Sequence, residues 1–256
     1  MAFGHRSSCF RVACDAIGAS GFAPEDVKRA TAKLVSLGDD GARAASGVTL
    51  TRALFVQATE VTRAQWKQVM GRLPRRMPPC EGELCPVSGV SWPDAVKFVN
   101  KLSAREKLTP CYRVKGKTIT FAGAECDGYR LPTDAEWEYV ARAGLGGERY
   151  GLLADIVTSA DAGGPSTVAS RAANPWGLYD TLGNVSEWCH DLYERHERAE
   201  ITDPTGARFG VNRVVRGGSW MSASDALRFS ARESVDPKSA APTLGLRPVR
   251  SVVSAP

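Results

Sequence analysis

Apolar and polar positions keep no single period along this 256-residue chain. Short periodic stretches alternate with long aperiodic ones. Val48 to Thr62 reads VTLTRALFVQATEVT, whose alternation predicts one or two short strands. Thr62 and Gln65 form a capping-box pair ahead of Trp66, Val69 and Met70. Ser91, with Asp94 three positions on, opens a helix that aligns Ala95, Phe98, Val99 and Leu102 on one face. YRVKGKTITF, from Tyr112 to Phe121, predicts a strand, a turn at Lys115-Gly116 and a second strand. RLPTDAEWEYVARAG gives the clearest helix start: Pro132 leads in, Thr133 caps and Glu136 closes the box. Trp137, Val140 and Ala141 then form the apolar side until Gly144 stops the helix. NRVVRGGSW, RFSARES and LGLRPVRSV each predict a strand. Ahead of all these, Val27, Ala30, Leu34 and Leu37 have helical spacing, which predicts a helix over Ala23–Leu37 ended by Gly38. Residues 1–45 are therefore expected to be a helical and linker appendage, and 46–256 one domain. The fold class expected is α+β, with long ordered loops and no internal repeat.

Composition sharpens this picture. Gly 25 and Pro 15 favour turns over long helices. The net charge of +5 is spread without a Lys/Arg tract, so no nucleic-acid footprint is expected. No apolar run reaches the roughly 18 residues of a membrane span. The opening MAFGHRSSCFRVACDAIGAS has no continuous apolar stretch of the kind a secretory signal needs, and the run that would precede a lipoprotein-type Cys14 is missing. Cys80 and Cys85 flank a short acidic loop, and Cys111 and Cys126 flank the YRVKGKTITF hairpin. Each pair is a disulfide candidate, with free buried thiols as the alternative. Zinc lacks both CxxC spacing and a neighbouring His. Disulfides would favour an extracytoplasmic setting, although no signal is visible.

GVSWPDAVKFVNKLS, GYRLPTDAEWEYVARAG, NPWGLYDTLGNVSEW, VVRGGSW and LGLR follow one another in this order. Together they resemble the formylglycine-generating enzyme, or sulfatase-modifying factor, superfamily over about residues 48–252. The resemblance implies a variant of the C-type-lectin fold. It admits several activities: oxidation of a sulfatase cysteine to formylglycine, an accessory role in sulfoxide synthases, pyoverdine maturation, or ligand binding without catalysis.

In the oxidases of that superfamily two cysteines after RGGS hold copper(I), which soft thiolates suit. The resemblance places Ser222 and Leu227 at those positions, and Ser219 at the active-site serine. Ser186 stands where an aromatic residue is usual. Copper is therefore not expected. The same resemblance implies a calcium site built from Asp180, the carbonyls of Gly183 and Val185, and Glu187, a set of hard oxygens on a tight loop. The plainer reading of that loop is carboxylates capping backbone amides. A second calcium site near Asp155 and Ile156 would need a longer loop. An iron site finds no support: His5, His190 and His196 are expected to be solvent-exposed, with HDLYERHERAE a polar loop or helix end.

Trp92, Trp137, Trp188 and Trp220 are expected as core anchors. Arg216, Arg232 and Arg247 are expected to brace loops through carboxylates and carbonyls. Gly217 and Gly218 are expected to allow close backbone approach. Met221, Ser222, Ala223, Ser224, Asp225 and Ala226 would lie on the same face as residues 238–243, in an open ligand groove. The function expected is a calcium-stabilised pseudoenzyme: a domain that binds or assists a peptide, protein or glycan. The alternative is an oxygen-dependent oxidoreductase.

Overall fold

The computed structural model of the chain describes residues 27–30, 34–37, 46–158, 163–195 and 201–252. Cys9, Cys14, His5 and His196 lie outside them. The first element is not a helix. Strands β1 (Val27–Ala30) and β2 (Leu34–Leu37) occupy the described part of the stretch expected to be helical. The helical spacing there is outcompeted by two ladders. β1 pairs antiparallel with β4 (Leu54–Gln57), and β2 pairs antiparallel with β3 (Ser46–Thr49). Tertiary hydrogen bonding overrides so weak a local preference.

Helix α1 (Arg63–Met70) begins at the expected box, with Thr62 Oγ1 accepting from Gln65 N–H and Gln65 answering to Thr62 N–H. Gly71, at φ 82, ends it in the left-handed region. Helix α2 (Trp92–Arg105) starts at Ser91 and buries Ala95, Phe98, Val99 and Leu102 as predicted. The hairpin β5 (Tyr112–Lys115) and β6 (Thr118–Phe121) turns through Gly116. After β7 (Tyr129–Arg130) comes helix α3 (Asp134–Arg142), with the complete Thr133/Glu136 box. Its left-handed cap is Ala143, at φ 48, one residue before the expected Gly144. The short α4 (Leu153–Ile156) interrupts the loop-rich stretch.

Strand β8 (Ser186–Leu192) runs into the segment expected to be a polar loop. It is followed along the chain by β9 (Ile201–Thr202), β10 (Arg213–Arg216), β11 (Arg232–Val235), β12 (Leu244–Gly245) and β13 (Val249–Ser251). One sheet has the order β1-β4-β13-β7 and a second β11-β10-β8-β12; β2-β3-β9 and the β5-β6 hairpin complete the framework. β13 returns antiparallel beside β4, tying the end of the described chain to its beginning. Helices and sheets are thus mixed and the helices few, the expected α+β class. Among the described residues no helix is long and apolar enough to cross a membrane.

The core forms three clusters. Trp66 stacks on Phe98 in the largest, which also holds Trp92 and Trp188. Leu54, Val56, Tyr139 and Val249 anchor a second, and Trp137, Leu182, Leu227 and Phe229 a third. Trp220 departs from expectation. It is half-buried, and its Nε1 meets no acceptor among the described residues.

Three arginines, Arg130, Arg216 and Arg247, are among the largest fully buried side chains. Acids spaced along the first turns of α3 neutralise two of them, where the helix dipole also favours negative charge. Glu136 takes Arg130 through both oxygens at 2.6 and 2.7 Å. Asp134 pairs with Arg216 at 2.6 Å and with Arg232 at 2.7 Å. Glu138 pairs with Arg216 and, at 2.7 Å, with Arg142. This bracing matches the role expected of Arg216 and Arg232.

Candidate functional site

β10 delivers Arg216 to the turn at Gly217 and Gly218, whose φ values are 86 and 66. A Cβ at Gly217 would stand 2.9 Å from the Thr181 carbonyl and 3.1 Å from the Trp137 ring. Only glycine allows that approach. The turn is stitched to the 181–184 loop by Gly183 N–H to Gly217 O and Trp220 N–H to Asn184 O, both 2.9 Å.

Beyond it the chain coils on itself. Ser219 N–H donates to Ser222 Oγ and Ser222 N–H to Ser219 O, each at 2.9 Å. Ser219 Oγ accepts from Met221 N–H. A Cβ at Gly218 would lie 2.8 Å from Leu227 Cδ2 and 3.1 Å from Ser222 Oγ. Ser222 and Leu227 therefore both close in on Gly218, beside buried Ser219. Arg149 pins this coil from one side through the carbonyls of Leu227 and Ser224. Met221 (61% exposed), Ala223, Ser224 and Asp225 remain at the surface. Residues 238–243 form a second surface loop, tied down where Ser186 N–H donates to Thr243 O. Ser186 itself is buried on β8.

Among the described residues the cysteines form the disulfides Cys80–Cys85 and Cys111–Cys126, leaving Cys189 as a buried free thiol. Burial, with Asp134 and Asp191 adding to it, pushes that thiol well above its ordinary pKa. The two expected pairings are formed.

The other constellation lies in the 180–187 loop to which the glycine turn is hydrogen-bonded. Asp180 and Asn184 adopt positive φ (55 and 53) on either side of Gly183 (φ 86). Asp180 Oδ2 accepts from Ala169 N–H at 2.7 Å. Glu187 is fully engaged. Arg247 Nε donates to both its oxygens at 3.0 and 3.1 Å, Arg247 Nη2 donates to Oε1 at 2.8 Å, and Trp137 Nε1 donates to Oε2 at 2.7 Å. Arg247 also reaches the carbonyls of Gln57 and Tyr179, bracing two loops as expected.

Sequence reasoning missed Glu60. It is wholly buried on the connection from β4 to α1, its Oε1 accepting from Val185 N–H at 3.3 Å. Among the described residues, Glu60 Oε2 has no hydrogen-bond partner. Burial, then the Asp180 charge, push the Glu60 carboxyl well above the usual range. Burial also raises Asp180. Nothing in the ATEVT stretch marks Glu60 as special, because its partners lie more than a hundred positions away.

Three buried carboxylates against one guanidinium, with one oxygen orphaned, suit an added hard cation. Among the described residues no three His, Cys, Asp or Glu side chains converge as a metal cluster. A cation here would therefore draw on carbonyls and fewer acids. Asp155, where a second calcium site would need a longer loop, is exposed on α4.

His190 differs from its exposed expectation. It is half-buried on β8, 4.1 Å from the Phe121 ring centroid, with Tyr112 Oη 3.3 Å from Nδ1. The β5–β6 hairpin folds over it, a long-range packing that no local pattern foretells. A cavity of about 340 Å³ lies apart from both constellations, bordered by Asp134, Asp191, Ile201, Gly206 and Arg232.

Residues 27–252 match the family described as the sulfatase-modifying factor enzyme 1-like domain. The chain is 29% identical over 235 residues to the chaperone protein LppX of Paenibacillus barcinonensis, covering 77% of this chain and 80% of that protein. It is 39% identical over 150 residues to the formylglycine-generating enzyme of Streptomyces coelicolor, covering 49% of this chain and 48% of that enzyme. The similarity thus spans about half of that enzyme's length. Among solved structures, Treponema denticola variable protein 1 superposes with a TM-score of 0.81 at 29% identity, over 88% of this chain and 94% of that one. With the family match spanning nearly all of the described residues, the chain belongs to the sulfatase-modifying factor enzyme 1-like, or formylglycine-generating-enzyme-like, superfamily.

Proposed function

We propose that the chain is a non-oxidase member of its superfamily that binds or assists a peptide, protein or glycan, on a scaffold stabilised by calcium at the Asp180–Glu187 loop. The observation that carries this reading is that Ser222 and Leu227 both close in on Gly218. The family resemblance assigns those positions to the thiolates of the oxidases. A hydroxyl is a poor ligand for copper(I) and an isobutyl group is none. The small exposed side chains at Ala223 and Ser224, beside exposed Met221, support a recognition surface there. The name of the chaperone relative is consistent with a protein-binding role.

The test presents the full chain to an immobilised peptide array and a glycan array. Saturable binding that weakens at least about tenfold in Ser224→Trp supports the reading. Binding on neither array, or binding indifferent to Ser224→Trp, counts against it.

The second reading, an oxygen-dependent oxidoreductase, draws on the similarity to the Streptomyces enzyme. It predicts stoichiometric copper or iron in the purified protein. It also predicts an aldehyde, seen as a mass change, on a cysteine-containing sulfatase peptide. The binding reading predicts neither.

A further inference from the structure

We propose that Glu60 is the acidic partner of Asp180 in holding the calcium ion, and that Glu187 serves instead as the anchor of Arg247. The inference rests on the calcium reading above and changes which side chains carry it.

Glu60 meets three conditions for a cation ligand. It is fully buried, so its charge cannot be screened by water. One of its oxygens is held by Val185 N–H, on the same loop as Asp180 and Gly183. The other oxygen, Oε2, has no hydrogen-bond partner among the described residues. Buried polar atoms are almost always satisfied, and one left over in a carboxylate points to something that satisfies it. Asp180 acts on it through its charge, so the two carboxyls are neighbours. Two ionised carboxylates side by side repel, and a cation or a proton taken up by one of them relieves that repulsion. Glu187 is placed differently: the Arg247 and Trp137 hydrogen bonds occupy both of its oxygens. To ligate the ion it would have to surrender a buried charge-assisted pair, which is costly.

The site so assigned joins the connection after β4 to the loop before β8. The ion would thus tie together segments far apart in sequence, including the loop that receives the glycine turn. Calcium suits such a site because it accepts mixed carboxylate and carbonyl oxygens in irregular geometry.

The experiment titrates calcium and terbium into the full chain, wild type and variants, after chelation. It reads tryptophan-sensitised terbium luminescence and the melting temperature. Wild type is expected to bind and to melt higher with calcium. Glu60→Gln and Asp180→Asn are each expected to weaken binding at least about tenfold, through lost ligand charge. In chelator, Glu60→Gln is expected to melt no lower than wild type, because it removes a repelling charge. Glu60→Asp, which keeps the charge but is one methylene shorter, is expected to bind more weakly than wild type and serves as the readout should the amide variant fail to fold.

Wild-type affinity in Glu60→Gln, or in Glu60→Asp where that variant stands in, overturns the assignment and leaves the calcium reading intact. No binding by wild type overturns both, and leaves a proton taken up by Glu60 or Asp180 as the relief of their repulsion.

Discussion

His190 shows how far a single side chain can be moved from its ordinary chemistry. It is packed against Phe121 and Tyr112, with Arg213 stacked 3.8 Å over the neighbouring Trp92 ring and donating to the His190 carbonyl. Burial, then the Arg213 and Arg130 charges, hold its pKa down at about 3 against an ordinary 6.5. The folded state therefore refuses a proton that the unfolded chain accepts. Stability from this group is complete above pH 6.5 and is lost as pH falls toward 3. In denaturant melts, His190→Gln is expected to gain stability relative to wild type as pH falls from 7 to 5, because it removes the imidazole that the fold keeps from its proton. The absence of that gain would place the acid sensitivity elsewhere.

At the scale of the element, α3 is both scaffold and switchboard. Asp134, Glu136 and Glu138 leave the helix in different directions and meet Arg216, Arg130, Arg142 and Arg232. The position of Arg216, and hence of the glycine turn after it, depends on where α3 begins. Thr133 sets that beginning through its bond from Glu136 N–H. We expect Thr133→Ala to cost about 1 kcal/mol, read from urea unfolding. A cost near zero would mean that Glu136, held by Arg130, fixes the helix start alone. The capping boxes at Thr62 and Thr133 and the α2 face were legible because each depends on residues within one or two turns. β1 and β2 were not, since their ladders are formed with β4 and β3, which no local spacing announces.

For the molecule as a whole, two disulfides close loops around a core that is split into three clusters. Cys111–Cys126 spans 15 positions and Cys80–Cys85 spans 5. Loop-closure entropy makes the longer bridge worth about 1 kcal/mol more, out of about 3 kcal/mol. Paired alanine substitutions should therefore lower stability more at Cys111 and Cys126 than at Cys80 and Cys85. The reverse order in denaturant titrations would show that packing around the shorter bridge dominates.

Local sequence was sufficient for the capping boxes, the hairpin and the ordered series of motifs that carries the family, because each of these is written in neighbouring residues or in their order, and it named the cysteine pairs as candidates. It was also sufficient to put a hydroxyl and an aliphatic side chain at Ser222 and Leu227. Folding alone revealed that these two close in on Gly218, that Glu187 is spent on Arg247, and that Glu60 stands beside Asp180. It also packed His190 against Phe121 and Tyr112. The physical reason is the same in each case. Burial and charge pairing are properties of contacts between segments distant along the chain, and a side chain's chemistry is set by those neighbours more than by its own identity.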